Sequence, residues 1–256
     1  MSLLSVFDEA LRVARPDVYY LRRNFLSVLV TMLVTPLLYF VSFCYGLGSS
    51  VSDIGGVSYV AFVIPGVVAL STLTSSFSAI ANKVLAQRIY YTSFDEIVLC
   101  PLSPSAVILG KALVGFLKSM LACSILLAIG LLMSADGMHV TPMLYLCIAV
   151  SCLTFSFLGV LVGFISKSLT DIIMFTSLIV VPMTFLCGTV FSVSSLPEAV
   201  QYFISALPLT YSVECIRAAA LGWGVPLLSL AVTAAFGAAF FAICHWMLVS
   251  GRISKK

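Results

Sequence analysis

Glu214 and Arg217 are charged residues placed within an otherwise apolar stretch, so their spacing is informative. Residues three apart lie on the same face of a helix, where a carboxylate and a guanidinium can neutralise each other. Ionisable groups in apolar surroundings are costly and are usually paired. The spacing therefore favours a structural ion pair, and direct contact with a substrate is the alternative.

Two apolar segments each carry a row of small polar side chains at helical spacing. The rows are Ser27, Thr31, Thr35 and Ser42 in the first segment, and Ser71, Ser75, Ser78 and Asn82 in the second. Such rows can line a conduit, but hydroxyl groups also hold apolar helices together or bond back to their own backbone. The second interpretation is favoured, and a candidate substrate path remains open.

Catalytic motifs are not apparent in the sequence. Gly110-Lys111 could belong to a phosphate-binding loop of the GxxxxGK[ST] type only if position 105 were glycine and position 112 were Ser or Thr. These positions are Ser105 and Ala112 instead. HExxH and GxSxG are also missing. The eight cysteines show no CxxC pairing and are interpreted as small apolar residues rather than metal ligands. We expect no enzyme activity, metal or cofactor in this chain by itself.

The segments that must position these residues are six long runs with almost no charge. Apolar residues make up 61% of the chain and charged residues 9%, far from the composition of a soluble domain. A membrane-spanning helix needs about 20 such residues. The sequence predicts an all-α integral membrane protein, with one transmembrane domain over 1–256 and spans at 25–45, 59–81, 107–133, 142–165, 171–190 and 225–249.

Basic residues are distributed unequally between the predicted loops. Alternating the loops across the membrane places all the Lys and Arg residues except Arg217 on one side, including Lys111 and Lys118 at the start of the third span. By the positive-inside rule, both termini are expected to be cytoplasmic. The net charge of +3 then reflects topology rather than nucleic-acid binding.

Three further segments flank the spans. Residues 3–21 have an amphipathic pattern that Pro16 interrupts, which predicts an interfacial helix on the cytoplasmic side; a solvated leader is the alternative. Residues 82–104 form the longest polar stretch on that side. Residues 191–224 are too apolar for a free loop and too short to span twice, which predicts a re-entrant external helical hairpin.

The run Leu207-Pro-Leu-Thr-Tyr-Ser-Val-Glu-Cys-Ile-Arg-Ala-Ala-Ala-Leu-Gly222 resembles a signature of type-2 permeases of ATP-binding-cassette exporters, with Pro208, Glu214, Arg217 and Gly222 at the family's spacing. Other short runs are similar to the nodulation lipo-oligosaccharide and daunorubicin exporter branch. They are Thr35-Pro-Leu-Leu-Tyr39, Tyr45-Gly-Leu-Gly48, Phe62-Val-Ile-Pro-Gly66, Cys100-Pro-Leu-Ser103 and Gly110-Lys111.

This resemblance implies a homodimer in the inner (plasma) membrane of a prokaryote, associated with two copies of a separate ATPase that holds ATP and Mg²⁺. It also implies that the loop at 82–104 contacts the ATPase, with Arg88, Asp95, Glu96 and Pro101 as candidate coupling residues. Relatives commonly have Gly-Thr where this chain has Ser93-Phe94. The loop is therefore better defined than its docking residues.

Transport of an amphipathic or lipid-linked substrate is the leading interpretation, such as a glycolipid, a lipo-oligosaccharide or a hydrophobic drug. The apparent absence of strong charge in the spans agrees with an apolar or weakly polar path. An ion-gradient-driven transporter is less favoured, because Asp171 lies at a span end and no acidic group lies deep in a span. A membrane scaffold without transport activity is the third possibility.

Overall fold

The structure is a computed structural model, and it describes residues 3–46, 58–91, 93–133, 139–187 and 198–250. Six helices in these ranges are long and apolar enough to cross a membrane. This confirms the prediction of a six-span helical membrane protein. The positions outside these ranges include the basic tail residues Arg252, Lys255 and Lys256, as well as residues 188–197 at the end of the fifth predicted span and the start of the predicted hairpin.

The helices have the following bounds in chain order: α1 Leu3–Arg23, α2 Phe25–Gly46, α3 Tyr59–Ile89, α4 Ser93–Leu99, α5 Pro104–Met133, α6 Pro142–Ile165, α7 Leu169–Phe175, α8 Val181–Leu186, α9 Glu198–Ser205, α10 Pro208–Leu221 and α11 Leu227–Val249. A π-helical turn, Thr176–Val180, joins α7 to α8 in one continuous span. Pro182 has no N–H to continue the α-helical ladder, which is a common cause of such local rearrangement.

Helices α3 and α6 form the centre of the bundle. In the apolar window of α3, 89% of the residues are buried, against 17% in α2, 17% in α7–α8 and 22% in α11. The central helices pack against α5, α10 and each other. The peripheral helices therefore present broad apolar faces to lipid or to another protein.

Gly159 and Gly163 allow α6 to approach α3 closely. A Cβ atom at position 163 would lie 2.8 Å from Val84 Cβ and 3.1 Å from Ala81 O, and one at position 159 would lie 3.0 Å from Phe77 O. Small residues at this spacing permit such helix contacts in membranes. The GxxxG motif therefore serves packing within the chain.

We expect Gly163→Val to destabilise the bundle by about 2–3 kcal/mol, because the added atoms meet the backbone of α3 and the stem of Val84. Thermal aggregation measured by size-exclusion chromatography should occur at a lower temperature. Ala234→Val on the exposed face of α11 is the matched control and should behave like the wild type. Equal thermal profiles for the two variants would contradict the close contact.

Several predicted boundaries differ from the structure. Pro16 lies inside a continuous α1 and does not interrupt it. Helix α3 continues to Ile89, eight residues beyond the predicted end of the second span, because Val84 and Leu85 keep its extension buried. Helix α5 begins at Pro104, three residues before the predicted start of the third span, so Lys111 and Lys118 lie well inside the helix.

Two short helices, α9 and α10, lie where the external hairpin was predicted. Thr210 Oγ1 donates to Ile204 O at 2.7 Å and Tyr211 Oη donates to Ser205 O at 2.8 Å, which closes the turn between them. Pro208 begins α10, where a missing N–H costs nothing, and Gly222 ends it with φ +71°. Their depth in the membrane stays a prediction.

Candidate functional site

A groove of about 540 Å³ separates α2 and α7–α8 from α3 and α5. We call it the polar groove. Its lining comprises Val28, Thr31, Met32, Thr35, Pro36, Tyr39, Thr74, Ser75, Ser78, Ala79, Asn82, Lys118, Thr176, Val180, Val181, Thr184 and Phe185. Hydroxyl groups, an amide and one ammonium thus share the groove with an apolar wall.

The structure brings the two predicted polar rows together. Thr31 and Thr35 reach the groove from α2, while Ser75 and Ser78 reach it from α3. Ser27 and Ser71 are not part of the lining. The Ser27 carbonyl accepts a hydrogen bond from Thr31 Oγ1 at 2.8 Å, and Ser71 Oγ lies 3.4 Å from Ser75 Oγ in the buried interior of α3.

Most of these polar groups also bond to their own helix. Thr74 Oγ1 donates to Leu70 O, Asn82 Nδ2 donates to Ser78 O, and Thr176 Oγ1 donates to Ile172 O. A hydroxyl that donates to a carbonyl of its own helix has used its proton, but its oxygen can still accept a hydrogen bond from another group. The two interpretations of the rows are therefore compatible, because a back-bonded hydroxyl can still face the groove.

Lys118 is predicted at the start of the third span, among the cytoplasmic basic residues, but the structure places it deeper in the helix. It lies at the middle of the apolar stretch Pro104–Leu132 and lines the polar groove. The sequence contains a signal for this position, because the predicted span 107–133 begins eleven residues before Lys118. The expectation of spans without strong charge is therefore wrong at this position.

Asp17 connects α1 to the bundle through two lysines. Its carboxylate lies 3.0 Å from Lys83 Nζ of α3 and 3.3 Å from Lys111 Nζ of α5. Asp17 and Lys111 are both buried. We call Asp17, Lys83 and Lys111 the Asp17 cluster. Sequence reasoning missed it, since no local spacing relates residues so distant along the chain.

Arg88 connects the end of α3 to the end of α6. Its Nη1 atom donates to Gly163 O at 2.9 Å, Phe164 O at 2.6 Å and Ser166 O at 3.2 Å. The last carbonyls of a helix lack partners within the helix and carry partial negative charge, so a guanidinium is well suited to this place. Arg88 therefore fixes the position from which the predicted coupling loop departs.

The predicted coupling loop contains the short helix α4. Glu96 and Pro101 are exposed, while the side chain of Asp95 lies outside the described residues. Phe94 is buried and packs edge to face on Phe164 with ring centroids 5.5 Å apart. Helix α4 thus presents a polar surface at Glu96 while Phe94 holds it to α6.

Glu9 holds α1 to the beginning of α5. Its carboxylate accepts hydrogen bonds from the Ser103 backbone N–H at 3.0 Å and the Ser103 hydroxyl at 2.9 Å. These bonds, the backbone bond first, lower the pKa of Glu9 below its ordinary value. The contact is therefore formed with the ionised carboxylate and is lost only under acidic conditions, as the pH falls through the lowered pKa.

Asp171 has a structural role at the beginning of α7. Its carboxylate accepts the backbone N–H groups of Lys167 and Ser168, and Ser168 Oγ accepts the N–H of Asp171. This is a capping box. The arrangement gives Asp171 a structural role at the start of the fifth span.

A second cavity, of about 620 Å³, lies at the opposite end of the bundle and contains Glu214 and Arg217. The two side chains have different partners. Glu214 Oε2 accepts from Ser229 Oγ of α11 at 2.7 Å, while the Arg217 guanidinium lies over the Phe62 ring of α3, 3.7 Å from its centroid. Among the described residues, these contacts link α10 to two neighbouring helices, in addition to any pairing between the two residues themselves.

We expect Glu214→Ala to lower the free energy of unfolding by about 1 kcal/mol, since it removes one hydrogen bond to a charged but exposed acceptor. Thermal unfolding of the purified protein would measure the loss. Ser229→Ala should have a similar effect, and the double variant should be no worse than either single one. A fully stable Glu214→Ala variant would favour a substrate contact instead.

Comparison with known proteins connects these features to a transport family. The family profile described as ABC-2 type transporter matches residues 6–221. The inner membrane transport permease YadH of Escherichia coli strain K12 is 26% identical over 238 residues, covering 92% of this chain and 93% of the relative. Nodulation protein J of Bradyrhizobium diazoefficiens is 31% identical over 217 residues, covering 83% and 81%, and that of Rhizobium meliloti is 31% identical over 215 residues, covering 78% and 79%.

The match extends from α1 to the end of α10, and so includes the polar groove, the predicted coupling loop and residues 208–221 of the signature segment. Six apolar helices and inner-membrane relatives together describe a multi-pass membrane protein. Membership also implies an ABC ATPase partner in general, since permeases of this family are transport subunits. The chain belongs to the ABC-2 type transporter family of membrane transport permeases.

Proposed function

We propose that this chain is the permease subunit of an ATP-driven exporter that moves an amphipathic or lipid-linked substrate outward. The observation that carries the proposal is the polar groove, which places hydroxyl and ammonium groups beside apolar side chains within the membrane-spanning helices. An amphipathic molecule has complementary polar and apolar parts. ATP and Mg²⁺ belong to the separate ATPase subunit in this proposal.

Charge and exposure support an orientation and an assembly for this permease. The end of the bundle that holds α1, the Asp17 cluster and α4 is rich in basic residues, which supports a cytoplasmic position for that end and for both termini. Helices α2 and α7–α8 leave most of their apolar surface exposed. This supports a homodimer in which these helices face a second copy, with two ATPase subunits attached.

Coupling to the ATPase would pass through α4. Glu96 is accessible for docking, and Asp95 is its neighbour in the same short helix. A displacement of α4 would reach α6 through Phe94 and Phe164, and the adjacent end of α3 is tied to α6 by Arg88. Movement of the ATPase would thereby change the spacing of helices that border the groove.

The experiment is to purify this chain with its ABC ATPase subunit and to compare ATP hydrolysis by the complex with that of the ATPase alone. We expect a stable complex whose hydrolysis rate changes when the permease is present. Asp95→Ala and Glu96→Ala should weaken association or reduce that effect. Stable isolation of both chains without association or rate change would overturn the proposal.

A substitution within the groove should affect transport more than folding. Thr35→Leu removes one hydroxyl and fills part of the groove from its exposed side. We therefore expect about a fivefold loss of permease-dependent ATP hydrolysis, which corresponds to the loss of one hydrogen bond of about 1 kcal/mol. Ser75→Leu should act in the same direction. The assay is ATP hydrolysis by the complex in native lipid.

Ser27→Leu on the same helix is the matched control, because Ser27 is exposed but does not line the groove. Its activity should equal that of the wild type. Normal activity of Thr35→Leu, with intact expression and assembly, would remove the polar rows from the substrate path.

A further inference from the structure

Lys118 occupies a position that is costly for a charged residue. It lies at the centre of the apolar stretch Pro104–Leu132, seven residues and therefore about 10 Å along α5 from Lys111 of the Asp17 cluster. Ionisable residues at such positions face a bundle interior or a polar cavity and usually mark a functional site. Lys118 follows this rule, since it lines the polar groove.

The ammonium of Lys118 has no hydrogen-bond or ion-pair partner among the residues that the structure describes. The nearby charges do not compensate it. Lys83 and Asp17 are the groups whose charges act on Lys118, and Asp17 is already shared between Lys83 and Lys111. Three lysines and one aspartate leave this region with an excess of positive charge.

The surroundings of Lys118 define what could neutralise it. Ser75, Ser78, Asn82 and Thr176 provide hydrogen-bonding groups on the same groove, while Val181 and Phe185 provide an apolar wall. A ligand that complements all of these features has an anionic head and an apolar tail. Hydroxyl and amide donors beside a lysine are well suited to phosphate or carboxylate oxygens.

We propose that the polar groove binds the anionic head group of an amphiphile at Lys118, with the apolar tail along Val181 and Phe185. This deepens the proposed function, on which it rests for the role of the groove, by assigning a negative charge to the bound molecule. Two sources share the required chemistry, a transported anionic amphiphile and a resident anionic phospholipid.

The test uses dioleoyl phosphatidic acid as the probe and dioleoyl phosphatidylcholine as the neutral comparison, since their acyl chains are identical. Native mass spectrometry of the detergent-solubilised chain measures how much of each lipid is retained. We expect phosphatidic acid to be retained preferentially. Lys118→Gln should reduce that preference about tenfold, equivalent to about 1.4 kcal/mol, while Lys118→Arg should preserve most of it.

Lys167→Gln is the matched control, because Lys167 is exposed and lies outside the groove. It should retain the wild-type preference, which separates a specific site from a general loss of positive charge. Unchanged preference in Lys118→Gln, or an equal loss in Lys167→Gln, would overturn the inference. Size-exclusion profiles of all three variants show whether each is folded. If Lys118→Gln does not fold, Lys118→Arg still tests the inference, because loss of the preference in that variant would contradict it.

The two sources are distinguished in the complex with the ATPase, reconstituted in phosphatidylcholine nanodiscs. Stimulation of ATP hydrolysis by added phosphatidic acid, absent in Lys118→Gln, assigns the site to transported molecules; retention without stimulation assigns it to a resident lipid. Lipid retention needs no ATPase, so loss of the binding preference overturns this inference alone. Failure of the complex to form overturns the proposed function while leaving the binding result intact.

Discussion

Replacing Asp17 with alanine is expected to cost about 3–5 kcal/mol of the free energy of unfolding. The substitution leaves Lys111, which is 2% exposed, buried beside Lys83 without the carboxylate that both contact. A membrane or soluble domain of ordinary stability has about 5–15 kcal/mol in total. Asp17→Ala should therefore accumulate poorly and aggregate at a much lower temperature in fluorescence-detected size-exclusion chromatography.

A second variant separates the lost charge balance from lost packing. Asp17→Leu combined with Lys111→Met removes both buried charges, and Lys83, which is one quarter exposed, can direct its ammonium to solvent. This double variant should recover most of the stability that Asp17→Ala loses. Equal instability of the two variants would contradict an electrostatic role for the Asp17 cluster.

Replacing Arg88 with alanine is expected to have the second largest effect, about 2–4 kcal/mol, because three carbonyl acceptors at the end of α6 lose a charged donor. The same change should loosen the junction between the ends of α3 and α6, against which α4 packs through Phe94. We therefore expect the permease to lose most of its effect on ATP hydrolysis at temperatures where it remains folded. Thermal stability and ATPase rates of the complex measure the two consequences separately.

Arg88→Lys is the informative control, since it keeps the positive charge but cannot reproduce the planar donor geometry of the guanidinium. It should restore part of the stability and less of the coupling. Lys167→Ala beside the end of α6 should leave both properties close to wild type, because Lys167 is exposed and lies outside the polar groove. Full coupling in Arg88→Ala would contradict this role.

The span count could be predicted from sequence because it depends on local composition. Both the lipid-facing surface and the interior of the bundle require long runs of apolar residues. The polar rows were also found by helical periodicity, and Thr31, Thr35, Ser75 and Ser78 do meet in one groove. Their meeting could not be predicted, because it depends on the packing of α2 beside α3. Thr176 and Thr184 were missed, since the π-helical turn alters which residues share a face of α7–α8.

Charged residues show where sequence reasoning reached its limit. Glu214 and Arg217 were assigned to each other because they are close in sequence, but Ser229 and Phe62 are also their neighbours in space. Asp17 and Lys111 are 94 residues apart, so local spacing gave no indication of their contact. The predicted bounds 107–133 already include Lys118 in the third span, but its place on the polar groove depends on helix packing that local spacing does not indicate.

The most direct test of the central claim, that ATP drives a change in the polar groove, is the accessibility of a cysteine introduced by Thr35→Cys. The exposed Cys100 is first replaced with serine, and this parent provides the labelling background. Vesicles containing the permease and its ATPase are labelled with a membrane-impermeant maleimide with and without ATP. The account predicts a labelling rate that changes with ATP and returns to the resting value with a hydrolysis-deficient ATPase. Identical rates in all conditions, in a complex that hydrolyses ATP, would contradict it.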